Sequence, residues 1–427
     1  MEFIYLVGVK IYGAGILAAS FFNQKAKQWI EGRKNIFSVI RTALADKNEK
    51  RIWVHCSSLG EFEQGKPIIE ALKKEYPEFK IAVTFFSPSG YEIKKNDPLA
   101  DYIFYLPLDG PGKAKKFIDL VAPSMVFFVK YDFWHFYIRE LKKRKIPLYF
   151  ISADFRPSQI FFQWYGKFFD KMLRRVTHLF VQNQQSLELL YRNSIPHVTV
   201  SGDTRFDRVY ENSLHGKSFP EIEKFCEGKK ILIAGSTWPP DEAVLAEFIN
   251  QSAGEFKFII APHEIKEEQL NNFVKSVSKK SIRYSEFKKS AVTDAEVLII
   301  DNIGMLSSLY RYADFTYIGG AFSKGLHNVL EAVVFGKPVF FGPNYQKFPE
   351  AVELIKNKTG FSVSSANELK NKVDELISFP GEKEKIKSAT ENYIEKNKGA
   401  TGIVMNYLKI NLGEKIAGVF LLFNLLS

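Results

Sequence analysis

Residues 301–349 read DNIGMLSSLYRYADFTYIGGAFSKGLHNVLEAVVFGKPVFFGPNYQKFP, and this stretch decides the fold class. It predicts, in order, a strand at Phe315–Ile318, a glycine-punctuated loop at Gly319–Gly325, a helix from about His327 to Phe335 and a strand at Val339–Phe341. Together these elements form a βαβ unit of a parallel sheet. Glycine lets the backbone approach a ligand closely, and the first N–H groups of a helix attract negative charge. The loop is therefore expected to hold an anion.

The same alternation runs through most of the chain. Further strands are predicted at Arg51–Cys56, Lys80–Phe85, Tyr102–Leu106, Met125–Val129, Leu148–Ile151, His178–Gln182, Val198–Ser201, Lys230–Ala234, Phe256–Ala261 and Val297–Ile300. Polar, helix-poor sequence at about 208–229 separates two series of such units. A chain of 427 residues is too long for one ordinary core. We therefore expect an α/β protein with two doubly wound Rossmann-like domains facing a cleft, with ligands at the carboxyl ends of the strands.

The composition favours anionic partners. Lys and Arg number 59 against 48 Asp and Glu, which gives a formal net charge of +11. The basic residues form no arginine-rich block and no RNA-binding aromatic signature, so no nucleic-acid partner is expected. Cys56 and Cys226 are predicted to be small buried thiols in a reducing compartment. No Cys/His cluster has metal-ligand spacing, so no metal site is predicted.

The N-terminus is mostly apolar. Met1–Phe22 is interrupted only by Glu2 and Lys10, and basic residues follow at 25–34. A secretory signal peptide has the opposite order of charge and apolar residues. The apolar run is close to the minimum length for a membrane span, and positive charge after it would keep the rest of the chain cytoplasmic. We expect this segment to lie in or across a membrane; the alternative is a first helix that packs on the protein body.

Four loops are expected to face the cleft: Ser57–Glu61, Ser87–Gly90, Gly235–Asp241 and Gly319–Asn328. Their glycine and hydroxyl residues suit phosphate and sugar. The chain has no G-x-x-x-x-G-K-[ST] motif, and no G-x-G-x-x-G opens its first βα unit. ATP hydrolysis and hydride transfer therefore lack support, and the predicted chemistry is group transfer from a nucleotide-activated donor.

Glu61 is the predicted catalytic residue. It follows Gly60 at a strand–loop–helix junction, where its carboxylate can face the cleft as a general base. Partial burial would raise the pKa of this carboxyl towards neutrality. The alternative is a glutamate in the first turn of a helix that only interacts with the helix dipole.

Six motifs taken together resemble one family. They are SSLGE (57–61), SPSGYE (87–92), YLPLD (105–109), AGSTWPPDE (234–242), APH (261–263) and GGAFSKGLHNVLEAVVFGKPVFFGPN (319–344). This set is similar to the bacterial 3-deoxy-D-manno-octulosonic acid (Kdo) transferases of lipopolysaccharide synthesis, from the N-terminus to about Lys356. The resemblance implies a GT-B architecture, a membrane-associated N-terminal helix, CMP-Kdo as donor and the lipid A precursor (lipid IVA) as acceptor. It also implies inversion at the anomeric centre, no metal or other cofactor, and a place on the cytoplasmic face of the inner membrane.

The resemblance also implies roles for single residues. Glu61 matches the catalytic base, and Glu331 matches the acid that bonds the ribose hydroxyls. The implied donor contacts are Arg205, Ser236, Thr237, His263, Gly319, Gly320, Gly325, His327, Asn328 and Glu331, and the expected acceptor contacts are Ser58, Gly60, Ser87 and Ser89. Two positions depart from the family: Pro262 stands where arginine is usual, and Lys130 replaces one of two usual acids.

The expected organisation has five parts: a membrane-associated segment (1–34), an acceptor-binding Rossmann-like domain (35–208), a linker (209–228), a nucleotide-sugar donor-binding Rossmann-like domain with terminal helices (229–412) and an apolar tail (413–427). The tail is too short to span a membrane and is either a packed end or a second surface contact. The alternative functions are a GT-B glycosyltransferase using a UDP- or GDP-sugar at the membrane surface, and a catalytically idle membrane-bound binding protein.

Overall fold

The computed structural model describes residues 1–46, 48–290, 294–323 and 325–411. These residues form two compact units, one of residues 1–208 with the chain from 398 onward, and one of residues 209–397. Each unit contains one parallel sheet, which confirms the expected doubly wound α/β class. The predicted apolar tail, residues 413–427, lies outside the described residues.

The first unit is built on a seven-stranded sheet, counted over the described residues, in the order β3-β2-β1-β4-β5-β6-β7. The strands are β1 (Lys50–Cys56), β2 (Phe79–Phe85), β3 (Tyr102–Tyr105), β4 (Pro123–Val129), β5 (Leu148–Ala153), β6 (His178–Val181) and β7 (Val198–Val200). Every pairing is parallel. The order of the strands reverses between β1 and β4, so the loops that follow these two strands diverge and leave a crevice at the carboxyl edge.

Helices cover both faces of this sheet. They are α1 (Glu2–Ala19), α2 (Gln24–Glu31), α3 (Ile36–Ala43), α4 (Leu59–Glu75), α5 (Pro88–Lys94), α6 (Pro111–Val121), α7 (His135–Lys143), α8 (Lys167–Leu173), α9 (Gln184–Arg192) and α10 (Thr204–His215), with a 3-10 helix at Ile160–Phe162. A last helical segment, residues 400–411, returns to this unit, where Val404 and Leu408 join the core beside β1 and β4.

α1 combines an apolar composition with specific contacts to the body of the first unit. Among the described residues it is the helix long and apolar enough to cross a membrane, and none of its residues is buried. Tyr5 nevertheless donates a 2.8 Å hydrogen bond to Asp109 Oδ2, and Glu2 forms an ion pair with Arg139. α1 is therefore a candidate for a membrane-associated helix, and it also contacts its own domain.

The second unit repeats the plan with a seven-stranded parallel sheet, again counted over the described residues, in the order β10-β11-β9-β8-β12-β13-β14. The strands are β8 (Lys230–Thr237), β9 (Phe256–Pro262), β10 (Ser281–Arg283), β11 (Val297–Ile299), β12 (Phe315–Ile318), β13 (Val339–Phe341) and β14 (Gly360–Ser362). Here the order reverses between β8 and β12, so the crevice at the carboxyl edge lies between the loops that follow these two strands.

The helices of the second unit are α11 (Pro220–Cys226), α12 (Pro239–Gln251), α13 (Glu267–Ser276), α14 (Tyr284–Ser290), α15 (Leu306–Leu309), α16 (Leu330–Val333), α17 (Pro349–Lys356), α18 (Ala366–Ser378) and α19 (Pro380–Asn397), with a 3-10 helix at Tyr310–Tyr312. Its core lies between the sheet and helices α12, α13 and α18, where Leu245, Phe273 and Leu369 are buried.

Several predicted elements differ from the structure. The segment 208–229, predicted to be helix-poor, contains the end of α10 and all of α11, whose Ile222 and Phe225 are buried. The helix predicted from about His327 is confined to α16; just before it, Asn328 Oδ1 accepts a hydrogen bond from Leu330 N. The last of the terminal helices is predicted to run continuously over residues 382–407 in the donor domain. In the structure α19 ends at Asn397, Gly399 has a φ of +103°, and residues 400–411 belong to the first unit.

Candidate active site

The predicted site residues of the first unit gather at its crevice. Glu61 follows β1, and the segment Lys130–Trp134 follows β4, so the two lie on either side of the reversal in strand order. Lys130 has a positive φ of 61°, an uncommon conformation for a residue with a side chain. Such backbone conformations concentrate at functional sites in proteins.

Glu61 lies in the first turn of α4, not in a loop before the helix as the sequence predicted. Its Oε2 accepts a 3.0 Å hydrogen bond from Ser58 N, and the two residues form a capping box. The helix-terminal role considered as an alternative is therefore real. It does not exclude chemistry, because the half-buried carboxylate is still at the carboxyl edge of the sheet.

The surroundings of Glu61 raise the pKa of its carboxyl to about 7. Burial is the largest cause, and the negative charge of Asp132 adds to it, while hydrogen bonds from Ser58 and Ser57 and the charge of Lys130 act in the opposite direction. A carboxylate with a pKa near neutrality can take a proton from a hydroxyl and release it again at physiological pH.

The predicted acceptor contacts lie close to Glu61 in the fold. Ser87 N donates to Ser57 O at 2.7 Å, which joins the loop after β2 to the loop after β1. Ser87 Oγ lies 2.9 Å from Ser89 Oγ, and both side chains are half-buried. Gly60 is exposed in the first turn of α4, and Ser58 caps that helix. The structure therefore brings Ser58, Gly60, Ser87 and Ser89 to one edge.

In the second unit, two glycines allow the loop after β12 to approach the loop after β8. A Cβ atom on Gly319 would lie 2.3 Å from Ser236 O, and one on Gly320 would lie 2.2 Å from Gly325 O. Gly320 and Gly325 also have positive φ angles of 101° and 113°. A side chain at Gly319 would push the loop after β12 away from Ser236 and Thr237 at the end of β8, whereas one at Gly320 would clash with Gly325 in its own loop.

The Asp241 carboxylate holds the loop after β12 against the start of α12, a role that was not predicted from the sequence. The fully buried carboxylate accepts hydrogen bonds of 2.9 Å from both Gly320 N and Trp238 N, and one of 3.0 Å from Tyr317 OH. The sequence signal was present in STWPPDE, where an acid stands three residues after a loop residue at the start of a helix. Its partners on β12, however, are distant in sequence.

Three rings stack beside this loop. The rings of His263 and His327 are 4.2 Å apart, and Trp238 lies 4.7 Å from His263. Trp238 Nε1 donates to His327 Nε2 at 3.0 Å. Burial, together with the nearby His263, lowers the pKa of His327 to about 4, so this ring is neutral at pH 7 and carries its proton on Nδ1.

The remaining predicted donor contacts fall into three groups. Ser236 is half-buried with a φ of 54°, whereas the buried Thr237 donates its hydroxyl to Glu242 at 3.0 Å. Asn328 Nδ2 donates to Glu331 Oε1 at 3.2 Å, so these two side chains form a pair at the start of α16. Arg205 lies in the first unit, where it binds Asp203 through Nε at 2.8 Å.

No metal site was predicted from the sequence. Among residues 1–46, 48–290, 294–323 and 325–411, no group of three or more His, Cys, Asp or Glu side chains could hold a metal ion. Cys56 is buried, as predicted, and Cys226 is half-buried.

Comparisons with known proteins show which proteins this chain resembles. The family model described as 3-Deoxy-D-manno-octulosonic-acid transferase (kdotransferase) matches residues 32–208, most of the first unit. The 3-deoxy-D-manno-octulosonic acid transferase of Aquifex aeolicus is 28% identical over 355 residues, covering 81% of this chain and 92% of that protein. The Haemophilus influenzae protein of the same name is 24% identical over 378 residues, covering 86% of this chain and 88% of that protein. This chain is therefore similar to Kdo transferases over most of its length.

A solved structure resembles this chain in its fold. The UDP-GlcNAc 2-epimerase from Neisseria meningitidis bound to UDP-GlcNAc superposes with a TM-score of 0.60 at 17% identity, covering 84% of this chain and 99% of the epimerase. At this identity the likeness concerns the fold, which is GT-B-like.

Proposed function

We propose that this protein is a Kdo transferase, which moves Kdo from CMP-Kdo to a hydroxyl of the lipid A precursor at the cytoplasmic face of the inner membrane. The observation that carries the proposal is the environment of Glu61. Its half-buried carboxylate lies at the crevice of the first unit, beside a second acid, with its pKa raised to about 7.

The proposed reaction uses Glu61 as a general base. As the acceptor oxygen bonds to the anomeric carbon of Kdo, its O–H bond breaks and the proton passes to Glu61 Oε. The bond between the anomeric carbon and the phosphate oxygen breaks at the same centre, and CMP leaves with the electron pair. Attack opposite the leaving group inverts the anomeric configuration. General base catalysis of this kind contributes typically about 10²–10⁴-fold to the rate.

The second unit provides the proposed contacts for CMP-Kdo. Gly319 and Gly320 leave the loop after β12 without side-chain cover, so a ligand can approach its backbone closely. Their own N–H groups are bound to Gly235 O and to Asp241. The neutral ring of His327 offers an N–H rather than a charge, and Ser236 adds a hydroxyl. Glu331, paired with Asn328, is proposed to bond the ribose hydroxyls. Oriented dipoles of this kind stabilise the charge that develops on a leaving phosphate.

A cavity of about 650 Å³ in the first unit suits a phosphorylated lipid acceptor. Its apolar lining includes Leu17, Ile36 and Leu108, and its basic lining includes Lys10, Lys113 and Lys116. This combination of apolar surface and positive charge favours acyl chains together with phosphate groups. The cavity lies beside α1, so an acceptor held in a membrane could enter it from the bilayer.

The proposal is tested by incubating the purified protein with CMP-Kdo and a tetra-acylated lipid A precursor, and weighing the product by mass spectrometry. Glu61→Gln is expected to lower turnover by at least about 100-fold, because an amide cannot accept the proton. CMP binding, measured by calorimetry, should be unchanged. Glu70→Gln is the matched control, since Glu70 lies on the same helix with its side chain 54% exposed.

Two outcomes would contradict the proposal. Near-normal turnover in the Glu61→Gln variant would remove the base assignment while leaving Kdo transfer in place. Absence of a Kdo-bearing product, together with stronger competition by UDP or GDP than by CMP in a nucleotide-binding assay, would favour the alternative of another nucleotide-sugar donor.

A further inference from the structure

His55 is a buried histidine that the proposed reaction leaves without a role. It is the last residue but one of β1, and it pairs in register with Thr84 of β2. The ring is fully buried, and its Nδ1 lies 2.8 Å from Thr84 Oγ1. Trp53 Nε1 donates to the same Thr84 oxygen at 2.7 Å. Thr84 O lies 3.2 Å from the same Nδ1, so this nitrogen faces a hydroxyl, which can donate to it, and a carbonyl oxygen, which can only accept from it. Since Thr84 Oγ1 accepts from Trp53, its own hydrogen is available to the shorter contact with Nδ1, which places the ring proton on Nε2.

The other ring nitrogen faces the segment that follows β4. His55 Nε2 lies 2.8 Å from Asp132 Oδ2. A nitrogen lone pair and a carboxylate oxygen repel each other, so a contact this short favours a proton on Nε2, although Asp132 Oδ2 lies off the hydrogen-bond direction. Trp134 Nε1 donates towards the same Nε2 from 3.2 Å and competes with that proton; the contact with the charged carboxylate is the shorter of the two. The contacts thus run from β2 through β1 to the loop after β4, across three adjacent strands.

We propose that His55 is a positioning residue, which holds the Asp132 carboxylate at the end of β4 and so keeps that negative charge beside Glu61. The inference rests on the proposed function only in taking Glu61 as the base; the contacts of His55 with Thr84 and Asp132 do not depend on it. His55 itself touches neither the acceptor nor the donor in this scheme.

The groups that face Glu61 determine what a displaced Asp132 would do. Asp132 is the negative charge that raises the pKa of Glu61, and Lys130, from the same loop, is the positive charge that lowers it. Burial raises the pKa of the Cys56 thiol, and the negative charges of Glu61, Asp132 and Glu63 raise it further. Glu63 is engaged by Arg208 and Lys94. If Asp132 turned away, its repulsion would fall and Lys130 would remain, so Glu61 would ionise at lower pH.

Two isosteric replacements separate positioning from packing. In His55→Gln the amide nitrogen stands near the place of Nε2 and can still donate to Asp132. In His55→Asn the amide nitrogen stands near the place of Nδ1, so it can reach Thr84 but not Asp132. Both variants remove the buried ring, so a purely structural role predicts the same effect for both. Asp132→Asn removes the charge directly.

The measurement is the titration of the Glu61 carboxyl in full-length protein labelled with ¹³C at the glutamate δ-carbon, with the resonance assigned by its loss in Glu61→Gln. This readout does not depend on catalysis. We expect His55→Asn and Asp132→Asn to move the midpoint down by about half a pH unit or more, and His55→Gln to leave it within about 0.2 unit of wild type. The acid limb of the Kdo-transfer rate should shift in parallel.

Equal midpoints in His55→Asn and His55→Gln, or an unmoved midpoint in Asp132→Asn, would overturn the inference. If His55→Asn does not fold, Thr84→Val replaces it. That variant keeps the shape of Thr84 but removes its hydroxyl, so the backbone oxygen of residue 84 remains as the partner of Nδ1 and favours the ring proton on Nδ1 instead of Nε2. It is expected to shift the midpoint of the Glu61 titration in the same direction; no shift would equally overturn the inference. A protein that shows these titration shifts but transfers no Kdo would refute the proposed function alone.

Discussion

At the scale of single residues, Glu61 shows how opposing effects set one ionisation. A capping glutamate normally ionises readily, because backbone N–H groups at a helix start favour its negative charge. Here the hydrogen bond from Ser58 N acts in that direction, yet burial and Asp132 outweigh it and raise the pKa to about 7. The motif S-S-L-G-E identified the residue from sequence. Its ionisation could not be read there, because Asp132 lies on another loop 71 positions later.

From the raised pKa of Glu61 we predict how the free energy of unfolding changes with pH. Below pH 4.5, the ordinary value for this carboxyl, Glu61 is protonated in both folded and unfolded chains. Between pH 4.5 and about 7, the unfolded chain ionises while the folded one stays protonated, so the free energy of unfolding falls as pH rises. Glu61→Gln abolishes this loss. Relative to wild type, the free energy of unfolding of the variant should rise by on the order of 1–3 kcal/mol between pH 4.5 and 8, measured by urea unfolding.

The Glu70→Gln variant is the control for this measurement, because its side chain is exposed on the same helix. A stability difference between Glu61→Gln and wild type that stays constant across the pH range would show that the carboxyl ionises normally in the folded protein.

Gly320 supports a second prediction at this scale. Its φ of +101° disfavours any side chain, and a Cβ atom would lie 2.2 Å from Gly325 O, a backbone atom that cannot rotate away. Gly320→Ala is therefore expected to destabilise the protein by about 1–3 kcal/mol and to weaken CMP binding. Calorimetry measures both effects. Gly381→Ala, at a helical position with no atom within 4 Å of the new Cβ, is the control. Similar melting temperatures for the two variants would contradict the prediction.

At the scale of elements, the strands were predictable and several helices were not. The strands of parallel sheets are buried on both sides and read as continuous apolar runs, as Phe315–Ile318 does. The aromatic run at residues 161–175 is predicted from its sequence to be one helix. In the structure it divides at Gly166, where a Cβ atom would collide with Ile160 O. Its many aromatic residues pack against one another and against α1, as Phe168 does with Tyr5. Such tertiary contacts override local helix preference.

The contacts that anchor α1 to the first unit lead to a prediction about this helix. The Tyr5 hydroxyl donates to Asp109, a buried carboxyl whose pKa burial raises to about 6, and it accepts from His135 N at 3.3 Å. Tyr5→Phe keeps the ring but removes both contacts, which should cost about 1–2 kcal/mol of helix docking. Amide hydrogen exchange in residues 2–19 should then accelerate several-fold. Tyr12→Phe is the control, since Tyr12 is 51% exposed; equal acceleration in both variants would show that the Tyr5 hydroxyl does not anchor the helix.

At the scale of the whole molecule, charge and apolar surface occur together. The formal net charge is +11, and some of the excess lines the cavity beside α1 as Lys10, Lys113 and Lys116. The same helix exposes large apolar side chains such as Phe3 and Ile11. A surface that combines apolar side chains with lysines binds anionic bilayers through both effects. From sequence alone, these lysines were indistinguishable from solvated lysines elsewhere, because only the fold brings residues 10 and 113–116 to one cavity.

Replacing Lys10, Lys113 and Lys116 with glutamine should therefore weaken binding to anionic vesicles, measured by sedimentation at low salt. Each basic residue near such a surface contributes about 1 kcal/mol, so three together should lower the partition coefficient by about 10- to 100-fold. Binding to neutral vesicles should not change, because the apolar contacts of α1 remain. The difference should shrink as added salt screens the charges. The matched control replaces Lys275, Lys288 and Lys356, exposed lysines of the second unit, with the same loss of net charge. An equal loss in the control would mean that total charge, rather than the lysines at this cavity, governs the contact with the membrane.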